Sequence, residues 1–172
     1  MNMIKIVLLF VKPTFDIAQE ISKKKNLICL ESLPLVIWKD FVNSLKLNKK
    51  IIFKKNISKK EIEDLCKIKV EHWNYDLKSQ INWWKENSDE DYLIITLMSG
   101  KKKVAFLRIR RREIFIYNKP LKCSFITEVC VSNKFKSMGV GRKIMFEANK
   151  YLISQKEIGY LLCFKDKDEF YK

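Results

Sequence analysis

Residues 129–145 read Val-Cys-Val-Ser-Asn-Lys-Phe-Lys-Ser-Met-Gly-Val-Gly-Arg-Lys-Ile-Met, and this stretch is the most informative part of the sequence. An apolar run ends in a short polar loop, Gly139 and Gly141 stand at alternate positions, and a helical pattern starts at once. The chain has only four glycines, so two in one loop indicate a specific backbone requirement there. Glycine lets a backbone come close to a ligand, and the first N–H groups of a helix have no partner within it. The stretch therefore predicts a phosphate-bearing ligand at the start of the helix.

Strands and helices are predicted on both sides of this stretch. Ser58 and Glu61 have the spacing of a capping box, which predicts a helix that begins after Ser58. Apolar runs between turn residues predict strands at 51–55, 91–98, 103–110 (continued or bulged at 114–117), 124–132 and 159–164. Helical spacing predicts further helices at 76–85, 140–154 and from 166.

The first 48 residues differ in character and carry no chemistry that we can name. Strands are predicted at 4–11 and 26–30, with helices at 16–24 and after Pro34, which gives a β-α-β-α order. We therefore divide the chain into an N-terminal extension, residues 1–48, and a second section, residues 49–172.

Composition is typical of a folded, cytoplasmic protein. The 172 residues are 47% hydrophobic, and the apolar run at 6–11 is too short to span a membrane. The five cysteines are odd in number and include no C-x-x-C pair, and the chain has one histidine. We therefore expect buried, reduced thiols, no metal and no membrane partner.

The net charge of +15 raises nucleic-acid binding as one class of function. The excess is mostly scattered lysine, and the chain contains no nucleic-acid-binding motif, which disfavours that class.

The glycine loop and the order of elements resemble the GNAT superfamily, the acyl-CoA-dependent N-acyltransferases. The family loop reads Gln/Arg-x-x-Gly-x-Gly/Ala, and this chain reads Lys136-Ser137-Met138-Gly139-Val140-Gly141. Residues 161–164, followed by Phe170-Tyr171, resemble the later strand and the Phe-Tyr that opens the last helix of the family. The resemblance covers residues 49–172 and implies an α/β (α+β) fold with a mixed, mostly antiparallel central sheet flanked by helices.

The same resemblance implies a coenzyme site with acetyl-CoA as co-substrate. The pyrophosphate would bind the backbone N–H groups of residues 137–142. The pantetheine arm would pair with the strand that enters the loop, because this strand splays from its neighbour in the family. The residues so implied are Val129, Cys130, Val131, Lys136, Ser137, Met138, Gly139, Val140, Gly141 and Arg142.

Two side chains match positions of acid–base groups in the family. Glu128 would take the proton of a primary amine acceptor, in a small molecule or a protein, and Tyr171 would protonate the leaving thiolate of coenzyme A. For Cys130, core packing is preferred over a role as nucleophile, because no histidine adjoins it. His72 either lines an acceptor cleft or is structural.

Two departures from the family pattern keep alternatives open. Lys136 replaces Gln/Arg, and the chain stops where family members continue through two further strands. We therefore expect a sheet that lacks its last strands and forms a homodimer through an exposed edge. The leading hypothesis is an N-acetyltransferase. The alternatives are a catalytically inactive, truncated remnant or protein-interaction module and, third, a basic nucleic-acid-binding domain.

Overall fold

The computed structural model describes residues 4–9, 28–30, 46–87, 91–116 and 118–164, which form a seven-stranded sheet and three α-helices. The strands are β1 (Ile4–Leu9), β2 (Ile28–Leu30), β3 (Leu47–Phe53), β4 (Tyr92–Ser99), β5 (Lys102–Ile116), β6 (Lys119–Val131) and β7 (Gly159–Phe164). The helices are α1 (Lys59–Lys69), α2 (Leu77–Glu86) and α3 (Val140–Gln155). The helices predicted at 16–24, after Pro34 and from 166 lie outside the described residues.

The strand order across the sheet is β2-β1-β7-β6-β5-β4-β3. Neighbouring strands are antiparallel except for the β6–β7 and β1–β2 pairs, which are parallel. The mixed, mostly antiparallel sheet is therefore confirmed.

The sheet separates two hydrophobic cores. On one face α3 packs against β4 to β7 through Val140, Ile144, Ala148 and Leu152. On the other face α1 and α2 pack through Leu65, Cys66, Ile68 and Trp84. In β4, for example, Leu93, Ile95 and Leu97 enter the first core, and Tyr92 and Ile94 enter the second.

The hairpin of β5 and β6 is longer than the sequence predicts. The two pieces expected at 103–110 and 114–117 form one strand, and β6 begins at Lys119 rather than at 124. Residues 119–123 pair with 112–116 across a turn at Asn118, which has a positive φ of 59°. Polar residues of this outer part hid its strand character from the sequence pattern.

The capping box predicted at the start of α1 is present. The Glu61 backbone N–H donates to Ser58 Oγ, and the Ser58 backbone N–H donates to Glu61 Oε2. Burial alone would raise the pKa of Glu61, but hydrogen bonds from Lys50 and Ser58 lower the pKa to about 2.

We expect this carboxylate to make stability fall in acid. Because the pKa of Glu61 is lower in the folded chain than in the unfolded one, its contribution is complete above about pH 4.5 and is lost as the pH falls towards 2. Glu61→Gln should therefore be less stable than wild type at pH 7, with the difference shrinking between pH 4.5 and 2.5, as measured by urea unfolding. A difference that does not change with pH would contradict this.

The sheet continues beyond β7 with the two strands from the N-terminal section. All six residues of β1 pair with β7, from Ile4 opposite Phe164 to Leu9 opposite Gly159. β1 therefore pairs with an edge of β7 that the sequence predicts to be exposed. Within the described part of the chain, β2 and β3 form the edges of the sheet.

We expect the β1–β7 pairing to contribute to the stability of the whole sheet. Ile6→Pro removes a backbone N–H in the middle of β1, where Ile6 lies opposite Leu162. It should lower the free energy of unfolding by about 1–3 kcal/mol. Ile6→Val, which keeps the N–H and suits a strand, is the control in urea unfolding. Equal stability of the two variants would contradict the pairing.

Candidate active site

The glycine loop joins β6 to α3 as the sequence predicts. Gly139 adopts a left-handed φ of 73°, which glycine accepts without strain, and it forms the N-cap of α3. Ser58 and Asp76 cap α1 and α2 with their side chains, whereas α3 has no side-chain cap and no acidic residue in its first turn. The positive end of the α3 dipole is therefore open to an anion.

The two parallel strands beside this loop part before they end. β6 and β7 pair only from Ser124 opposite Gly159 to Ile126 opposite Leu161. Both strands then continue, β6 to Val131 and β7 to Phe164, with no further pairs between these described residues. The predicted splay is confirmed, and no described strand pairs with the edge of residues 127–131 that faces β7.

A β-bulge lies at the start of this open edge. Arg108 of β5 pairs with Thr127 and Phe106 pairs with Cys130, so Leu107 faces both Glu128 and Val129. Glu128 has a positive φ of 54°, a conformation that is rare for a residue with a side chain. Such strained residues cluster at functional sites.

The bulge settles which side chains face which core. Val129 and Val131 pack with the core on the α3 side, and Cys130 packs on the α1–α2 side, as predicted. Burial raises the pKa of the Cys130 thiol well above its ordinary value, so the thiol stays protonated at neutral pH. This agrees with the interpretation of Cys130 as a packing residue.

Glu128 is enclosed between two cations on the α1–α2 side of the sheet. Its Oε1 lies 2.6 Å from Lys69 Nζ, and its Oε2 lies 3.0 Å from Arg108 Nε. The side chains of Glu128, Lys69 and Arg108 are only 9%, 7% and 0% exposed. We call these three residues the ion triad.

Aromatic rings surround the ion triad. Lys69 Nζ lies 3.7 Å from the ring centre of Trp83, and Arg108 Cζ lies 4.9 Å from that of Trp84. Trp84 is fully buried and donates a hydrogen bond to Tyr92 Oη, whereas Trp83, Trp73 and Tyr75 are exposed. Small-molecule sites combine aromatic side chains with a few placed polar groups, and both are present around the ion triad.

The segment between α1 and α2, residues 70–76, lies against the end of β6. His72 Nε2 lies 2.7 Å from the backbone oxygen of Val131. Glu71 accepts hydrogen bonds from Ser132 Oγ, at 3.2 Å, and from the backbone N–H of Asn133. The strand that the resemblance assigns to the coenzyme is therefore in direct contact with residues 70–76.

The structure brings most of the predicted site residues together, and three further charged residues contact this part of β6. Residues 128–131 and 136–142 form one continuous strand edge and loop, and Tyr171 lies outside the described residues. Lys69, Arg108 and Glu71 were not predicted as site residues. Arg108 shares the buried face of β5 with Phe106, and a charge in that register was a signal that a counter-charge faces it.

We expect Glu128→Gln to destabilise the fold strongly. The substitution leaves Lys69 and Arg108 buried without their carboxylate, which should cost about 3–5 kcal/mol. Glu63→Gln, which removes an exposed ion pair with Lys67, should cost less than about 1 kcal/mol. Urea unfolding of both variants measures this, and similar losses for the two would show that Glu128 is not enclosed in solution.

Among the described residues, no group of three or more His, Cys, Asp or Glu side chains is arranged to hold a metal ion. No helix in the described ranges has the length and apolar character needed to cross a membrane.

Several solved structures share this fold. ElaA from Escherichia coli has a TM-score of 0.56 at 16% identity, over 73% of this chain and 83% of that one. An acetyltransferase from Trypanosoma brucei has a TM-score of 0.54 at 10% identity, over 73% and 89%. An aminoglycoside acetyltransferase from an uncultured soil metagenomic sample has a TM-score of 0.53 at 15% identity, over 76% and 85%.

Sequence comparison gives a family but no individual relative. No curated protein matches the chain. The family model described as "Acetyltransferase (GNAT) family" matches residues 59–172, which include the glycine loop, the open strand edge and the ion triad. The chain therefore belongs to the acetyltransferase (GNAT) family.

Proposed function

We propose that this protein transfers an acetyl group from acetyl-CoA to a primary amine. The observation that carries the proposal is the continuous backbone surface formed by the open edge of β6, the loop and the uncapped start of α3. An extended thiol arm pairs with an open strand edge, and a pyrophosphate binds a helix N-terminus, so one molecule with both groups fits the whole surface.

The positive charge of the loop supports the same ligand. Lys136 and Arg142 flank Gly139, and Lys143 follows in the first turn of α3. The Lys143 N–H is bonded to the Gly139 carbonyl at 3.0 Å, so the N–H groups of residues 140–142 precede the first hydrogen bond within the helix. In the proposal these N–H groups bind the pyrophosphate.

The proposed reaction is direct transfer between the two substrates. The neutral amine attacks the thioester carbonyl carbon, the carbon–sulfur bond breaks, and the thiolate leaves and takes up a proton. We propose that the amine proton passes to Glu128, directly or through water, because Glu128 lies at the bulge where the open edge starts. Lys69 and Arg108 orient this carboxylate. Tyr171 stays a prediction as proton donor to the thiolate.

The positive charge of the protein disfavours acceptors that carry several amines. Two cations and one carboxylate form the ion triad, and the whole chain carries a net charge of +15. A positive site of this kind repels polycations. We therefore propose an acceptor with a single amine, beside the exposed rings of Trp73, Tyr75 and Trp83.

Gly139→Glu tests the coenzyme site, and Gly100→Glu is its matched control. Both glycines have a positive φ, so both variants carry similar backbone strain, and Gly100 lies in the β4–β5 turn with nothing within 4 Å of an added Cβ. We expect Gly139→Glu to weaken acetyl-CoA binding at least tenfold in calorimetry, because it adds a negative charge where the pyrophosphate binds. Gly100→Glu should bind as the wild type does.

Two outcomes would decide against parts of the proposal. A folded wild type that does not bind acetyl-CoA would contradict the coenzyme site. Saturable binding without release of free thiol, in a screen of primary amines, would favour the inactive remnant that binds coenzyme.

A further inference from the structure

The open edge of β6 is occupied at one position by a side chain. The Ser132 N–H donates to the Val104 oxygen of β5 at 2.8 Å. The N–H and C=O groups of one planar trans peptide point in opposite directions, so the Val131 carbonyl points away from β5, to the open side. His72 Nε2 contacts this outward carbonyl at 2.7 Å.

This contact shows which ring nitrogen of His72 carries a proton. A carbonyl oxygen only accepts hydrogen bonds, so His72 Nε2 must carry a proton and donate it. Paired strands lie about 4.8 Å apart, so a ring whose nitrogen is 2.7 Å from the carbonyl lies within the space that an added strand would take.

We propose that His72 is a latch that acetyl-CoA must displace from Val131. The inference rests on the proposed coenzyme site, where the pantetheine arm pairs with the open edge of β6. Displacement frees the imidazole and loosens the attachment of residues 70–76, which carry Trp73 and Tyr75. Coenzyme binding thereby alters the acceptor side before an amine enters.

Two neighbouring contacts limit how far the segment moves. Glu71 stays bonded to Ser132 and Asn133, beyond Val131, and Lys69 stays paired with Glu128, before it. His72 lies between these anchors and is exposed, with its ring edge-on to Trp73 at 5.9 Å between centres. Its single hydrogen bond costs less to break than the two that Glu71 makes or the buried ion pair of Lys69.

The proposed latch predicts that removing the His72 side chain strengthens acetyl-CoA binding instead of weakening it. His72→Ala removes the competing hydrogen bond, so acetyl-CoA should bind about two- to tenfold more tightly than to the wild type. His72→Gln keeps a side-chain N–H donor and should bind close to the wild-type value. Calorimetry on the full chain measures all three.

NMR of the wild type gives a second readout that does not depend on a variant folding. The chain has one histidine, so its imidazole nitrogens give a single set of signals. Saturating acetyl-CoA should shift the Nε2 signal and speed exchange of its proton, because the bond to Val131 is lost.

The outcomes separate the latch from the proposed function. Equal or weaker binding by a folded His72→Ala, or an Nε2 signal unchanged at saturating acetyl-CoA, would overturn the latch and leave the coenzyme site standing. If neither the wild type nor His72→Ala binds acetyl-CoA, the proposed function fails, and the latch fails with it.

Discussion

The ion pairs of Glu128 with Lys69 and Arg108 connect the three elements that surround the site. Lys69 ends α1, Arg108 lies on β5, and Glu128 lies at the bulge of β6. A buried carboxylate with one cation removed is costly, so the end of α1 cannot leave the sheet without exposing an uncompensated charge. The backbone at Glu128 is strained as well, and the two ion pairs help to hold the residue in this conformation.

The bulge also explains how one strand serves two surfaces. Opposite Leu107 the strand holds two residues instead of one, which places Glu128 on the α1–α2 side and keeps Val129 and Val131 on the α3 side. In the proposed reaction, the same strand therefore presents a charged group to the acceptor and an open backbone edge to the coenzyme. The two substrates would meet at a single strand without sharing side chains.

The sequence predicted the parts of the site that depend on local chemistry. Gly139 marks the loop because only glycine accepts its φ without cost, and β7 was predicted with the observed bounds because its apolar run is bordered by turn residues. The ion triad was not predicted, since Lys69 and Glu128 are 59 positions apart and only the fold brings them together. The outer part of β6, residues 119–123, was missed because cross-strand pairing with β5 overrides its weak local strand propensity.

The opening between β6 and β7 also depends on the first strand of the chain. β7 makes three residue pairs with β6 and six with β1, and the pairs with β1 continue to Phe164, beyond the last pair with β6 at Leu161. The part of β7 that leaves β6 is therefore still held as a strand along its other edge by β1. β1, which is far from the glycine loop in sequence, thus supports the separation of β7 from β6 at the proposed coenzyme site. This pairing is a structural contribution of the N-terminal section to the sheet.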